Sequence, residues 1–231
     1  AALGEIGAAR DALAQTVLGA QGRVSIGAVV GSLPRLTSPA LARLLAEQPR
    51  LSISVTVETS GTLVPMLERG ELDLVVGQVP ANAQVDDLMF EALTEEPLEV
   101  IASAAHPAQR KRRLSLDDLI DDLWVLPPPA SPLRARVDAV FYAAGLPLPL
   151  RVVETASTLL ATTLTQTTQQ SVAVLSKDVA RHYAQHQALR VLPLTVPGDL
   201  GTIGIVTRRR QRLSAAAAKV VDALRNTARF V

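Results

Sequence analysis

Hydroxyl side chains recur at one kind of place in this sequence, directly after an expected strand and just before an expected helix. At such places the first N–H groups of the helix are open to an anion or a polar ligand. We therefore expect a binding site built from these loops. A simpler role stays open for each hydroxyl, because Ser and Thr also cap helices without binding a ligand. The candidate ligand-binding residues are Ser32, Thr59, Ser60, Gly61, Ser103, Ser131, Thr155 and Ser157.

The usual signatures of catalysis are missing. The chain contains no G-x-S-x-G, no G-x-G-x-x-G and no P-loop. His182 and His186 have a spacing that can hold zinc on one helix, but no third ligand is evident nearby. The four aspartates within residues 117–122 open an expected short helix, where carboxylates interact favourably with the helix dipole. We expect no enzyme activity, no metal and no cofactor.

The elements that must position the loops are clearest in residues 52–76. Residues 52–57 alternate with period two, as a half-buried strand does. A helix with apolar residues at helical spacing follows and ends at Gly70. Residues 72–76 form an apolar run typical of a strand buried on both faces. Residues 150–160 repeat the order of strand, glutamate, hydroxyl residues and leucine-rich helix, which predicts an α/β fold with mostly parallel sheets.

Composition excludes several other classes of protein. The chain has 231 residues, 48% of them hydrophobic, so it is long enough for one large domain or two small ones. A formal net charge of +1 is too low for a self-sufficient nucleic-acid binder. No apolar run approaches the ~20 residues of a membrane span. The absence of cysteine excludes disulfides and is consistent with a cytoplasmic protein.

The centre of the chain resembles a known family. Glu58, small polar residues, Leu63, Leu67 and the sequence GELDL at residues 70–74 are similar to the effector-binding domain of LysR-type transcriptional regulators. Further similarities follow in the family's order along nearly the whole chain, and those near its middle resemble the branch that regulates genes of sugar-binding proteins. These similarities lie at residues 23–28, 51–53, 87–88, 96–98, 106–107, 133–134, 144–146 and 153–155.

The resemblance implies a periplasmic-binding-protein-like fold with two Rossmann-like lobes joined by two crossover strands. Lobe I would comprise residues 23–98 and 202–231, and lobe II residues 99–201. Residues 1–20 would be the end of a linker helix that pairs two subunits. A surface helix packed on its own domain is the alternative for this segment.

The resemblance also implies a mechanism. A small effector would bind in the cleft between the lobes and change the geometry of a homodimer or homotetramer. Promoter DNA would be bound only by a winged helix-turn-helix domain that this sequence does not contain. The competing interpretations are a bilobed solute-binding protein, which needs no dimerising helix, and a porphobilinogen deaminase-like enzyme, which would need a cysteine.

The chemistry of the loops favours one class of ligand. Sugar sites usually offer an aromatic ring to the apolar face of the sugar. None of the six aromatic residues of this chain falls in the expected loops. Hydroxyls and helix N-termini suit a small organic anion, and a neutral sugar is the second choice.

Overall fold

The structure is a computed structural model that describes residues 22–80, 83, 85–185 and 188–230. The chain forms two compact units, one running to Thr94 and resuming at Thr202, the other spanning Glu95–Gly201. The first boundary lies inside one continuous strand, four residues before the boundary expected from the sequence. The expected linker helix at residues 1–20 and the imidazole of His186 lie outside the described residues.

Strands and helices alternate through most of the chain, as expected. The strands are β1 (Arg23–Ala28), β2 (Ser52–Val57), β3 (Leu74–Gly77), β4 (Leu88–Ser103), β5 (Leu123–Leu126), β6 (Val152–Glu154), β7 (Ser171–Ser176), β8 (Leu189–Val191) and β9 (Asp199–Arg208). The α-helices are α1 (Ser38–Glu47), α2 (Ser60–Glu68), α3 (Pro132–Ala143), α4 (Thr158–Thr167), α5 (Lys177–Ala184) and α6 (Ala215–Ala228). Shorter turns of 3₁₀ helix are Val30–Ser32, Val85–Asp87, Pro107–Arg110 and Asp117–Leu119, and Leu33–Thr37 is a π-helical turn.

The sheet of the first unit has the order β2-β1-β3-β9-β4. β1 runs parallel to both β2 and β3, and Ala28 lies opposite Val57 on one side and Val76 on the other. β9 runs antiparallel to β3. Because the three parallel strands end together, the loops that follow them meet at one edge of this sheet.

Burial in the first unit follows the expected helix and strands, with one exception. Leu63 and Leu67 of α2 are fully buried beside β3, all of whose residues are buried. Gly70 ends this segment with a φ of +80°, a conformation that glycine adopts without strain. The expected half-burial of β2 is wrong in detail, since Val55 and Val57 are exposed. β2 is the edge strand of its sheet, so it has a neighbouring strand on only one side.

The sheet of the second unit has a parallel part and an antiparallel part. β5 lies between β6 and β7 and runs parallel to both. β4 runs antiparallel to β7 and, on its other side, to β8. Alternate residues of the central strands pack into two separate cores: Trp124 belongs to one, and its neighbour Val125 to the other. Both faces of this sheet are therefore covered, as is usual for parallel strands.

Candidate ligand-binding loops

Three loops come together where the parallel strands of the first unit end. The Val29 N–H donates to the Val76 carbonyl at 2.9 Å, and the Glu58 N–H donates to the Ala28 carbonyl at 3.3 Å. At Gly77 a Cβ atom would lie 2.8 Å from Ser60 Oγ and 2.9 Å from Val29 Cγ1. The absence of a side chain at Gly77 therefore lets these loops approach one another closely.

Ser60 forms a reciprocal pair with Gln78, a residue that sequence reasoning missed. Ser60 Oγ accepts the Gln78 N–H at 3.0 Å and donates to Gln78 Oε1 at 3.1 Å. Gln78 directly follows β3, so the rule that selected the hydroxyl residues applies to its position as well. A search for hydroxyl residues does not select Gln78, because its side chain is an amide.

Thr59 and Gly61 leave the N-terminus of α2 accessible. Thr59 is the N-cap residue, but its hydroxyl makes no capping hydrogen bond and lies 3.5 Å from Thr62 Oγ1. A Cβ atom at Gly61 would meet nothing closer than Thr59 Oγ1, at 3.9 Å. The first N–H groups of a helix have no partner within the helix. In α2 the Thr62 N–H donates to the Thr59 carbonyl at 2.9 Å, so a ligand at this position would be met by the N–H groups of Ser60 and Gly61.

Ser32 has a structural use for its hydroxyl. The side chain is buried, and Oγ donates to the Val29 carbonyl at 2.8 Å while lying 2.8 Å from Thr37 Oγ1. These contacts hold the turn between β1 and α1. Any contribution of Ser32 to binding would therefore have to come through the shape of this turn.

In the second unit, β5 and β6 end side by side. Leu126 lies opposite Glu154, and the Thr155 N–H donates to the Leu126 carbonyl at 2.9 Å. Ser131 follows β5 and is the N-cap residue of α3, again without a capping hydrogen bond from its side chain. Ser131 and Thr155 are thus on loops that follow neighbouring strand ends.

The hydroxyl oxygens of Thr155 and Ser157 accept hydrogen bonds from backbone N–H groups a few residues ahead in the chain. Ser157 Oγ accepts the Leu160 N–H at 3.2 Å and so caps α4. Thr155 Oγ1 accepts the Ser157 N–H at 3.0 Å. The capping role that the sequence left open is therefore present at Ser157, whereas the Thr155 hydroxyl closes a turn just before the helix.

Ser103 does not lie with the other candidates of the second unit. In the antiparallel pairing of β4 with β7, Leu98 is opposite Ser176 and Ala102 is opposite Val172. Ser103 is therefore near the amino end of β7. The loops of Ser131 and Thr155 follow the carboxyl ends of the parallel strands, roughly 16 Å away along the strand direction. The placement of Ser103 in the sequence analysis is wrong because β4 enters this unit antiparallel to the parallel strands. Its buried hydroxyl accepts the Ala105 N–H at 3.3 Å.

Arg134, in the first turn of α3, is a second residue that sequence reasoning did not select for the site. Its Nη1 donates to Glu154 Oε1 at 2.9 Å and to the Pro127 carbonyl at 3.4 Å, and its Nε donates to Asp138 Oδ1 at 2.8 Å. The hydrogen bond to Glu154 is the main cause that raises the pKa of Arg134. Arg134 therefore connects the ends of β5 and β6 to α3.

Three titratable residues near the aspartate-rich turn, Asp118, Asp122 and His106, have structural partners. Asp118 accepts hydrogen bonds from Lys111 Nζ at 2.6 Å and from the Ser115 N–H at 2.9 Å, and these lower its pKa to about 2. His106 Nδ1 accepts the Ala108 N–H at 3.1 Å, and its Nε2 lies 3.2 Å from Asp122 Oδ2. Among the described residues, no group of three or more His, Asp or Glu side chains could hold a metal ion.

These observations define a protein of two α/β units with polar loops at the carboxyl ends of their parallel strands. The LysR substrate binding domain family matches residues 18–229, and the chain belongs to that family. The chain is therefore a substrate-binding domain and not an enzyme. Within the described residues, no helix is both long and apolar enough to cross a membrane.

Two relatives show how much of a longer protein this chain covers. It is 30% identical to the HTH-type transcriptional regulator GbpR of Azospirillum brasilense, over 94% of this chain and 64% of the relative. It is also 30% identical to the HTH-type transcriptional regulator GalR of Pseudomonas putida, over 89% of this chain and 51% of the relative. The chain thus spans between half and two thirds of the length of these regulators.

Solved structures of low identity share the fold. The effector-binding domain of QuiR in complex with shikimate has a TM-score of 0.73 at 16% identity, and the match covers 91% of this chain and 99% of that one. The BenM effector-binding domain with its effector benzoate has a TM-score of 0.69 at 22% identity, with 90% and 92% covered. These similarities establish an effector-binding-domain fold for the chain.

Proposed function

We propose that this chain senses a small organic anion for a LysR-type, DNA-binding transcriptional regulator. In this proposal the whole protein is cytoplasmic, forms a homodimer or homotetramer, and binds promoter DNA through a separate N-terminal domain. The chain itself supplies the effector site. The family match and the names of the relatives support the regulatory role.

The observation that carries the ligand class is that helix N-termini at the carboxyl ends of parallel strands lack side-chain caps, among them those of α2 and α3. Thr59 at α2 and Ser131 at α3 are both N-cap residues whose hydroxyls leave the first turn of their helix uncapped. Each stands at the carboxyl end of a parallel strand. At the start of either helix, a carboxylate, sulfonate or phosphate would accept hydrogen bonds from the first free backbone N–H groups of that helix and interact favourably with its dipole.

Two further observations favour an acid over a sugar. Shikimate and benzoate, which the QuiR and BenM domains hold in their structures, are both carboxylic acids. No aromatic side chain lies on the loops described above, so a sugar ring would lack a stacking partner. A neutral sugar remains the second candidate, on the similarity to the branch that regulates genes of sugar-binding proteins.

Regulation would follow from unequal binding. An effector that binds one state of the assembly more tightly than another shifts the population towards that state. We propose that this shift is passed to the DNA-binding part of the protein through residues 1–20.

A thermal-shift screen against small organic acids and sugars tests the ligand class. A ligand that binds only the folded state stabilises it by RT ln(1 + [L]/Kd), so binding raises the melting temperature. We expect acids to raise the melting temperature. If sugars raise it and acids do not, a neutral sugar replaces the organic anion as the first candidate ligand. For an acid that binds, Thr59→Ala should weaken binding while the fold survives. The control is Ser52→Ala, which changes an exposed hydroxyl at the amino end of β2.

A further inference from the structure

Arg134 and Glu154 form an ion pair whose two partners differ in exposure. The Arg134 side chain is only 12% exposed, whereas the Glu154 side chain is 48% exposed. Glu154 can therefore turn into water at little cost, while Arg134 cannot leave without exposing a largely buried stem. The fixed member of the pair is the guanidinium, and the replaceable member is the carboxylate.

The pair also lies among the candidate binding residues. Arg134 is three residues after Ser131 on α3, and Glu154 directly precedes Thr155. The Thr155 N–H is bonded to the Leu126 carbonyl at 2.9 Å, and the next carbonyl, that of Pro127, accepts from Arg134 Nη1. A carboxylate that arrived at these loops would meet the guanidinium that Glu154 now occupies.

We propose that Glu154 is an internal substitute for the effector's carboxylate, and that the effector binds by taking its place on Arg134. This inference rests on the proposed function and specifies how an acid is recognised there. Guanidinium groups bind carboxylates through directed, charge-assisted hydrogen bonds, and so an incoming carboxylate can reproduce the contact that Glu154 gives up. Asp138 stays bonded to Nε during the exchange and keeps the guanidinium in position.

The exchange couples ligand binding to a change in the loop that begins at Thr155. While Glu154 is bound to Arg134, it holds the end of β6 against the first turn of α3. Once a ligand occupies Arg134, Glu154 is released and the loop that begins at Thr155 loses that tie. Two states of the same loop, one of them stabilised by ligand, are what a population shift requires.

Acetate is a suitable minimal probe, because it carries the carboxylate and little else. We would titrate sodium acetate against the intact chain at constant ionic strength and follow the amide resonances of residues 131–135 and 155–157 by NMR. Glu154→Gln removes the competing charge and keeps the size of the side chain. We expect acetate to bind Glu154→Gln more tightly than the unaltered chain, by up to roughly fivefold, the upper end of what an exposed ion pair contributes.

Two controls separate exchange from a general change of charge. Glu99→Gln breaks another Arg–Glu pair of the same unit, that with Arg181 at 2.9 Å, and changes the net charge equally. It should leave the affinity for acetate as it was. The double variant Arg134→Gln/Glu154→Gln should lose the gain, and its melting temperature shows whether it is folded.

The outcomes are decisive for the exchange. Equal gains in Glu154→Gln and Glu99→Gln, a gain that survives in the folded double variant, or no saturable binding of acetate to Glu154→Gln would each overturn it. The proposed function fails differently, when no acid or sugar stabilises the unaltered chain. Acetate binding to Glu154→Gln in that case would retain Arg134 as a carboxylate site and discard the effector class.

Discussion

Ser60 and Gln78 form two hydrogen bonds with each other: one hydroxyl accepts the backbone N–H of Gln78 at 3.0 Å and donates to its side-chain carbonyl at 3.1 Å. The pair joins the start of α2 to the end of β3. Neighbouring Thr59 has no comparable bond. Two adjacent hydroxyl residues therefore have different roles. Ser60 fixes the loop before α2 to the end of β3, whereas the hydroxyl of Thr59 stays exposed on the same loop.

Removing the Ser60 hydroxyl should destabilise the fold. Ser60→Ala leaves the half-buried N–H of Gln78 without its acceptor, and such a loss costs about 1–3 kcal/mol. Thr59→Ala should cost less than about 0.5 kcal/mol, because the lost hydroxyl is exposed and caps nothing. Urea unfolding measures both. Equal losses in the two variants would contradict the division of roles.

Two of the hydroxyl N-caps of the second unit, Ser157 and Ser131, should respond differently to alanine. Ser157→Ala removes the hydrogen bond to the Leu160 N–H and should lower the free energy of unfolding by about 1 kcal/mol. Ser131→Ala removes no capping bond and should be nearly neutral. Chemical denaturation of the two variants makes the comparison, and a large cost for Ser131→Ala would mean that its hydroxyl caps α3 in solution.

Alanine at two glycines of the first unit should have opposite effects. At Gly77 the new Cβ would lie 2.8 Å from Ser60 Oγ, so Gly77→Ala should destabilise the fold by about 1–3 kcal/mol. At Gly61, within α2, the space is open, and Gly61→Ala should stabilise it by about 0.4–1 kcal/mol by restricting the unfolded chain.

Gly61→Ala also tests ligand approach to the N-terminus of α2. If an anion contacts the first N–H groups of α2, the added methyl group should weaken binding of any acid found in the screen although the fold is more stable. Calorimetric titration measures the affinity. An unchanged affinity in Gly61→Ala would place the anion elsewhere.

Asp122 should make an unusual contribution to the pH dependence of stability. Burial raises its pKa above the ordinary 3.8, against the opposing effect of His106. Between pH 3.8 and the raised pKa, the folded state binds more protons than the unfolded state. Asp122 therefore stabilises the fold as the pH falls and lowers its stability at neutral pH. Asp122→Asn should therefore increase the free energy of unfolding most, relative to the unaltered chain, at neutral pH. Its advantage should fade as the pH approaches 3.8, which thermal melts across that range would measure; an advantage that grows on acidification would contradict the assignment.

Local sequence patterns determine much of this fold without reference to tertiary contacts. The alternation in residues 52–57, the helical spacing of Leu63 and Leu67, and Gly70 as a helix end all depend on neighbours within a few residues. The structure has a strand, a helix and a positive φ at those places. The order of strand, polar turn and helix also identified the loops at Thr59, Ser131 and Thr155.

Tertiary structure alone decided which of these side chains are brought together and what each hydroxyl bonds to. Ser103 ends one strand and Thr155 follows another, but only the antiparallel register of β4 on β7 shows that they lie at opposite ends of the sheet. Arg134 and Glu154 are twenty residues apart, and the parallel pairing of β5 with β6 brings them within 2.9 Å. Strand direction and register arise from pairing between distant segments, and so they cannot be read from the local pattern that defines each strand.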